Sequence, residues 1–196
     1  MSRLAPRFVD RGAITAAYVG IGMAVTVGIS FLLIIPIEPI VWLLALPSGL
    51  LIGYYANQRS GRHGGPWGRM LVNGLFAGLV TGLTMAALLL AVKALFFYAD
   101  NGYRDPGLGG PLTCSPGAEC VYQRYLDLGR GPALADAGVT DPAAFTSFYW
   151  SQQAAAGSWV LVLTTAGGLG GAMLFGLTNR RERRGEGTGQ VAGGPR

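Results

Sequence analysis

Two cysteines, one histidine and one lysine are the residues of this 196-residue chain whose chemistry is easiest to name. Cys114 and Cys120 flank Ser115-Pro116-Gly117-Ala118-Glu119, a run that turns readily because Pro presets φ and Gly accepts a positive one. Two neighbouring thiols on an oxidising face are expected to pair. A loop this short then contributes roughly 2 kcal/mol by constraining the unfolded chain, enough to hold a turn but not to build a domain. Redox use, as in membrane thiol oxidoreductases that pass electrons to quinone, calls for a CxxC pair and a second pair for relay, and the sequence holds neither. The expectation is a structural Cys114–Cys120 disulfide.

His63 stands alone in a Gly- and Arg-rich stretch, so neither a His-based triad nor a zinc-type ligand set can be assembled around it. GxxxxGK[ST], HExxH, GxSxG and a complete GxGxxG are all missing. The reading is therefore of a non-enzymatic protein with no catalytic residues, no cofactor and no metal.

What must position these residues is a set of apolar helices. Four stretches carry no charge: Gly12 to Ile37, Pro39 to Gln58, Met70 to Val92 and Pro142 to Asn179. Each reaches the roughly 20 residues that a helix needs to cross a bilayer core of about 30 Å. Hydrophobic residues make up 51% and charged residues only 13%, against about 25% charged in soluble domains, so a water-soluble core does not organise this chain. The first stretch is too long for the apolar region of a cleaved signal peptide, about 7–15 residues, and reads as a retained span.

The fold expected is all-α and integral to a membrane, with four transmembrane helices at about 13–35, 39–57, 69–98 and within 142–179. Ile35-Pro36-Ile37-Glu38-Pro39 makes the first turn. Residues 1–98 thus form an N-terminal segment with three spans, and 99–141 a small external loop carrying the cysteines. Thr140-Asp141-Pro142 gives a helix start, with Asp141 as N-cap and Pro142 at the first helical position. The fourth helix then begins outside the membrane, and 180–196 is a basic tail expected to be disordered. Between Cys120 and Gly129 the pattern predicts two turns of amphipathic helix ended by glycine.

Charge sets the orientation. The N-terminus, the 58–69 connection and the tail hold eleven Arg against Asp10, Glu182 and Glu186, whereas the Pro36 turn and the long loop hold Arg104, Arg124 and Arg130 against seven acids. Basic residues mark the cytoplasmic side, so both termini are expected inside a cell membrane and the long loop outside. The net charge of +5 is orientation grammar and not a nucleic-acid footprint. Lys93, the one charge within a span, is expected to snorkel to the outer interface or to meet Glu38.

Within the membrane, helices associate by close packing of small residues. Gly49 and Gly53 in the second helix, Gly74, Gly78 and Gly82 in the third and Gly167 and Gly171 in the fourth are the expected packing positions. Pro47 removes the intrahelical donor to the Leu43 carbonyl and should kink the second helix. No Asp, Glu or His lies at membrane depth, which counts against proton-coupled transport. Gly49, Asn57, Arg59 and Arg62 recur as Gly171, Asn179, Arg181 and Arg184, an echo that the habit of ending inner helix ends with Asn and Arg also produces. Phe145, Phe148, Tyr149 and Trp150 form an aromatic patch, read as an interfacial anchor or a partner surface.

The function expected is that of an accessory or scaffold subunit of a membrane complex in a bacterial cell membrane. Its partners would be lipids and another membrane protein or further copies of itself. The alternative is a small oligomeric transporter or channel built around the Pro47 kink.

Overall fold

The computed structural model describes residues 9–33, 38–61, 65–99 and 114–189, with backbone alone at 30–33, 38–42 and 179–189. The Pro36 turn, His63, residues 100–113 and the last seven residues lie outside the described residues. All the described elements are helices: α1 (Arg11–Leu33), α2 (Glu38–Arg59), α3 (Trp67–Tyr98), α4 (Ala118–Asp127), α5 (Gly131–Asp136) and α6 (Pro142–Gly189). Three described segments, Arg11–Ile29, Trp67–Tyr98 and Pro142–Thr178, are long and apolar enough to cross a membrane. The α6 backbone stays helical to Gly189, into the basic segment beyond Asn179.

The chain divides into two compact units. The first comprises Met1–Val27, Ile37–Met85 and Val160–Arg196, and so takes parts of α1, α3 and α6 and the described part of α2. Many of its buried residues are small: Ala13, Ala16, Ala45, Ala56, Ala77 and Ala172 are all fully buried, beside the larger Ile52, Met70, Val160 and Phe175. Glycine sets the spacing where helices meet. A Cβ added to Gly53 would strike the carbonyl oxygen of Gly168, and one at Gly74 would sit 2.5 Å from the same oxygen. A Cβ on Gly78 would lie 2.8 Å from the Thr164 carbonyl oxygen and 3.2 Å from the Gly168 Cα. From the other side, Gly167 and Gly171 abut the backbone of Leu46, Leu50 and Tyr54. The backbone of α6 around Gly168 therefore lies directly against both α2 and α3, closer than any side chain permits.

The α1 helix is seated by the same device. Gly12, Ala13, Ala16, Ala17, Gly20 and Ala24 form its buried face. Gly12 rests on the Arg59–Ser60 peptide, and Gly20 on the Thr81 hydroxyl. Ala13 and Ala16 join Ile52, Ala56 and Ala77 in one apolar cluster, flanked by Met23, Tyr55 and Phe76. The opposite face, with Ile14, Tyr18, Val19, Val25 and Ile29, is exposed and apolar, as expected of a helix with lipid for solvent.

The second unit, Gly28–Pro36 with Ala86–Trp159, is built otherwise. Phe97, Val121, Leu134, Val139, Phe145 and Tyr149 are buried together, with Tyr122, Tyr125, Leu126, Phe148 and Trp150 packed around them. Short α4 brings Cys120 and Val121 to this core, and α5 brings Leu134. Gly129 and Gly138, both at φ 72°, end these two helices, a left-handed step that glycine takes without the Cβ penalty. The Asp141 carboxylate accepts the N–H groups of Ala143 and Ala144, each at 2.9 Å, and so caps α6 with Pro142 at its first position.

Candidate functional site

The polar side chains of the first unit converge at the end where α1 begins, α2 ends and α3 begins. Asn73, 1% exposed, is the hub. Its Oδ1 accepts the backbone N–H of Asp10 at 3.2 Å, and its Nδ2 donates to Asp10 Oδ2 at 2.8 Å, a reciprocal pair that clips the start of α1 to α3. The same Nδ2 lies 3.4 Å from Ser60 Oγ, just past the end of α2, and that hydroxyl donates to the Ala56 carbonyl at 2.7 Å. Asn57, fully buried one turn earlier in α2, donates to the carbonyls of Gly53 and Met70, both at 3.1 Å. One bond holds its own helix and the other crosses to α3. Buried amides cost free energy unless partnered, so these contacts fix how the three helix ends meet.

Further along the same unit, two threonines line the glycine contacts. Thr81 and Thr164 are fully buried. Thr81 donates back to the Ala77 carbonyl at 2.9 Å, and Thr164 to those of Val160 and Leu161. Their hydroxyls are satisfied within their own helices and face Gly20 and Gly82 respectively. Pro47 is exposed on α2, and Leu43, whose carbonyl it frees, is 71% exposed.

In the second unit the Cys114–Cys120 disulfide is present. Cys114 is exposed and Cys120 buried. Gly117 is the N-cap of α4 and makes no side-chain cap, and the disulfide ties Cys114, just before that end, to Cys120 in the first turn of the helix. Phe145 and Tyr149 belong to the unit's own core, while Phe148 and Trp150 are half-buried at its edge. Phe97, Tyr98, Tyr149 and Trp150 form a continuous ring contact, with Tyr98 stacked on Trp150 at 6.0 Å. Arg130 lies over the Tyr125 ring at 5.1 Å, a cation–π arrangement.

Among the described residues no three of His, Cys, Asp and Glu come together as metal ligands would. Comparison with known protein families, characterised proteins and solved structures finds no match.

The Asp10–Asn73–Ser60 clasp was not anticipated, although each of its residues is plain in the sequence. Asn73 reads as one polar residue in an apolar helix, and Asn57 as a helix-ending habit. Nothing in the sequence shows that Asn57 reaches the Met70 carbonyl and Asn73 the Ser60 hydroxyl, each 13 residues away. The α1 face had a usable signal, because Gly12, Ala16, Gly20 and Ala24 repeat every fourth residue.

Proposed function

We propose that the chain is a four-span membrane protein, through α1, α2, α3 and α6, with both termini cytoplasmic and the cysteine-bearing loop outside. We further propose that it acts without catalysis, as an accessory or scaffold subunit of a membrane complex in a bacterial cell membrane. The observation that carries this reading is the backbone-to-backbone contact of α6 with α2 and α3 at Gly53, Gly74 and Gly168. Helices at that separation leave no room between them for a substrate or a file of water. A rigid unit of this kind suits a part that holds its place against a partner better than one that rocks open. The seven acids of the outer turn and long loop and the eleven arginines of the inner side support the orientation.

The rival is a small oligomeric transporter or channel built around the Pro47 kink. A path through a single chain at Thr81 is disfavoured because Thr81 is fully buried with its hydroxyl bonded to the Ala77 carbonyl. Cysteine accessibility tests the choice, since both native cysteines are tied up in the disulfide. Thr81→Cys and Thr164→Cys in native membranes should resist a charged, water-soluble thiosulfonate reagent. Rapid labelling of both would point to a solvated path and favour transport.

A further inference from the structure

At the clasp end of the first unit, Arg11, Arg59 and Arg69 are all exposed. Their backbones are held close together. Gly12 sits on the Arg59–Ser60 peptide, with its would-be Cβ 2.5 Å from the Arg59 carbonyl carbon. Asn57 bonds the carbonyl of Met70, the neighbour of Arg69. Asp10 is the only acid among the described side chains of this unit, and its carboxylate accepts from Asn73. Two helix N-termini, those of α1 and α3, lie here beside the C-terminus of α2, so the helix ends leave a net partial positive charge.

The α6 helix brings more. A Cβ on Gly176 would lie 2.7–3.2 Å from the Trp67 ring, which sets α6 beside the first residue of α3. At 1.5 Å per residue, Arg180 follows about 6 Å further along the axis. The helical backbone continues through this stretch. At 3.6 residues per turn, Arg180, Arg181, Arg183 and Arg184 occupy register positions within an arc of about 160°, and Glu182 and Glu186 fall on the opposite side. The acids do not interrupt the basic face.

We propose that this end binds the phosphate of anionic phospholipid headgroups, with the exposed arginines of α1, α2 and α3 and the basic face of α6 as its recognition surface. A lipid is the occupant because the charges border the apolar segments directly, at the depth where headgroup phosphates lie. Arginine suits the task because its planar guanidinium meets phosphate oxygens in a bidentate way, which a lysine ammonium cannot do. Orientation alone needs only positive charge. Fourteen of the fifteen basic residues in the chain are nonetheless arginine. This inference rests on the membrane-spanning reading given above.

The test uses the full chain purified in mild detergent. Native mass spectrometry would count retained phosphatidylglycerol against phosphatidylcholine of the same acyl chains, and thermal unfolding would be followed with each lipid and with inorganic phosphate. Selective retention of phosphatidylglycerol, and stabilisation by it but not by inorganic phosphate at equal concentration, is expected. In Arg11→Gln/Arg59→Gln the affinity for phosphatidylglycerol should fall on the order of thirtyfold. Arg11→Lys/Arg59→Lys, which keeps the charge, should fall between. Should the glutamine pair fail to fold, Arg181→Gln/Arg184→Gln is expected to show the same selective loss. Equal retention of the two lipids by the unaltered chain, or inorganic phosphate protecting as well as phosphatidylglycerol, would overturn the inference while leaving the spanning reading intact. A chain that incorporates into neither phosphatidylglycerol nor phosphatidylcholine vesicles would overturn both.

Discussion

The two units differ in how far their packing rests on small residues. In the first, the fully buried positions include Ala13, Ala16, Ala45, Ala56 and Ala77 and the amides and hydroxyls of Asn57, Asn73, Thr81 and Thr164, with Phe175 and Val160 as the large members. In the second they are large: Phe97 and Phe145 are buried, with Val121, Leu134, Val139 and Tyr149 beside them. The difference is the one expected if, as proposed above, the first unit faces lipid and the α4–α5 part of the second faces water. In water, burying a phenyl ring is favourable because apolar area leaves water. In lipid that gain disappears, and helices are held by dispersion between close backbones and by hydrogen bonds. The first unit is therefore sensitive to added volume, and the second to volume removed.

The largest effect is expected from Gly78→Leu. The atoms its Cβ would meet are backbone, the Thr164 carbonyl oxygen and the Gly168 Cα, and these cannot rotate aside as a side chain does. The loss should exceed the roughly 1–3 kcal/mol usual for overpacking, and should show in detergent as a lower melting temperature and an altered size-exclusion profile. Phe145→Ala is the matched deletion in the second unit. It should cost about 3–5 kcal/mol and expose residues 118–139 to limited proteolysis without dissociating α2, α3 and α6. Asn73→Ala comes next, at about 1–3 kcal/mol, because it leaves the Asp10 carboxylate and the Asp10 N–H without their shared partner. Faster hydrogen exchange at the start of α1 would report it. Cys114→Ser should cost on the order of 2 kcal/mol, confined to the start of α4, and mass spectrometry of alkylated protein should find the native thiols paired. Leu88→Ile is the floor, under about 1.5 kcal/mol, since it conserves volume.

Much of the helical architecture is legible in the sequence because lipid imposes a plain code. Uncharged runs give the helices, Asp141-Pro142 marks the start of α6, and Gly129 ends α4. The glycines at 49, 53, 74, 78, 82, 167 and 171 all lie against backbone or side-chain atoms of a neighbouring helix. What could not be read is which helix each would meet. Gly168 faces α2 and α3 at once, and no single-helix periodicity reveals a three-way contact. The aromatic residues of α6 show the converse. Their spacing suggests a surface, yet Phe145 is fully buried, because α4 and α5 fold back over it and a periodicity argument sees only one helix at a time. The clasp stayed hidden for the same reason: its members come from three separate segments.

The claim that the units are packed by different physics is tested most directly by hydrogen exchange of the full chain in lipid nanodiscs, comparing Gly168→Ala with Phe145→Ala. The single added methyl in Gly168→Ala would meet the Gly78 Cα at 3.0 Å and the Gly74 carbonyl oxygen closer still. It should speed exchange along α2 and the first halves of α1 and α3, and leave residues 118–139 protected as before. Phe145→Ala should do the reverse. If both variants loosen both units alike, or if Gly168→Ala changes nothing, the chain is a single cooperative body or its glycines face lipid, and the account is wrong.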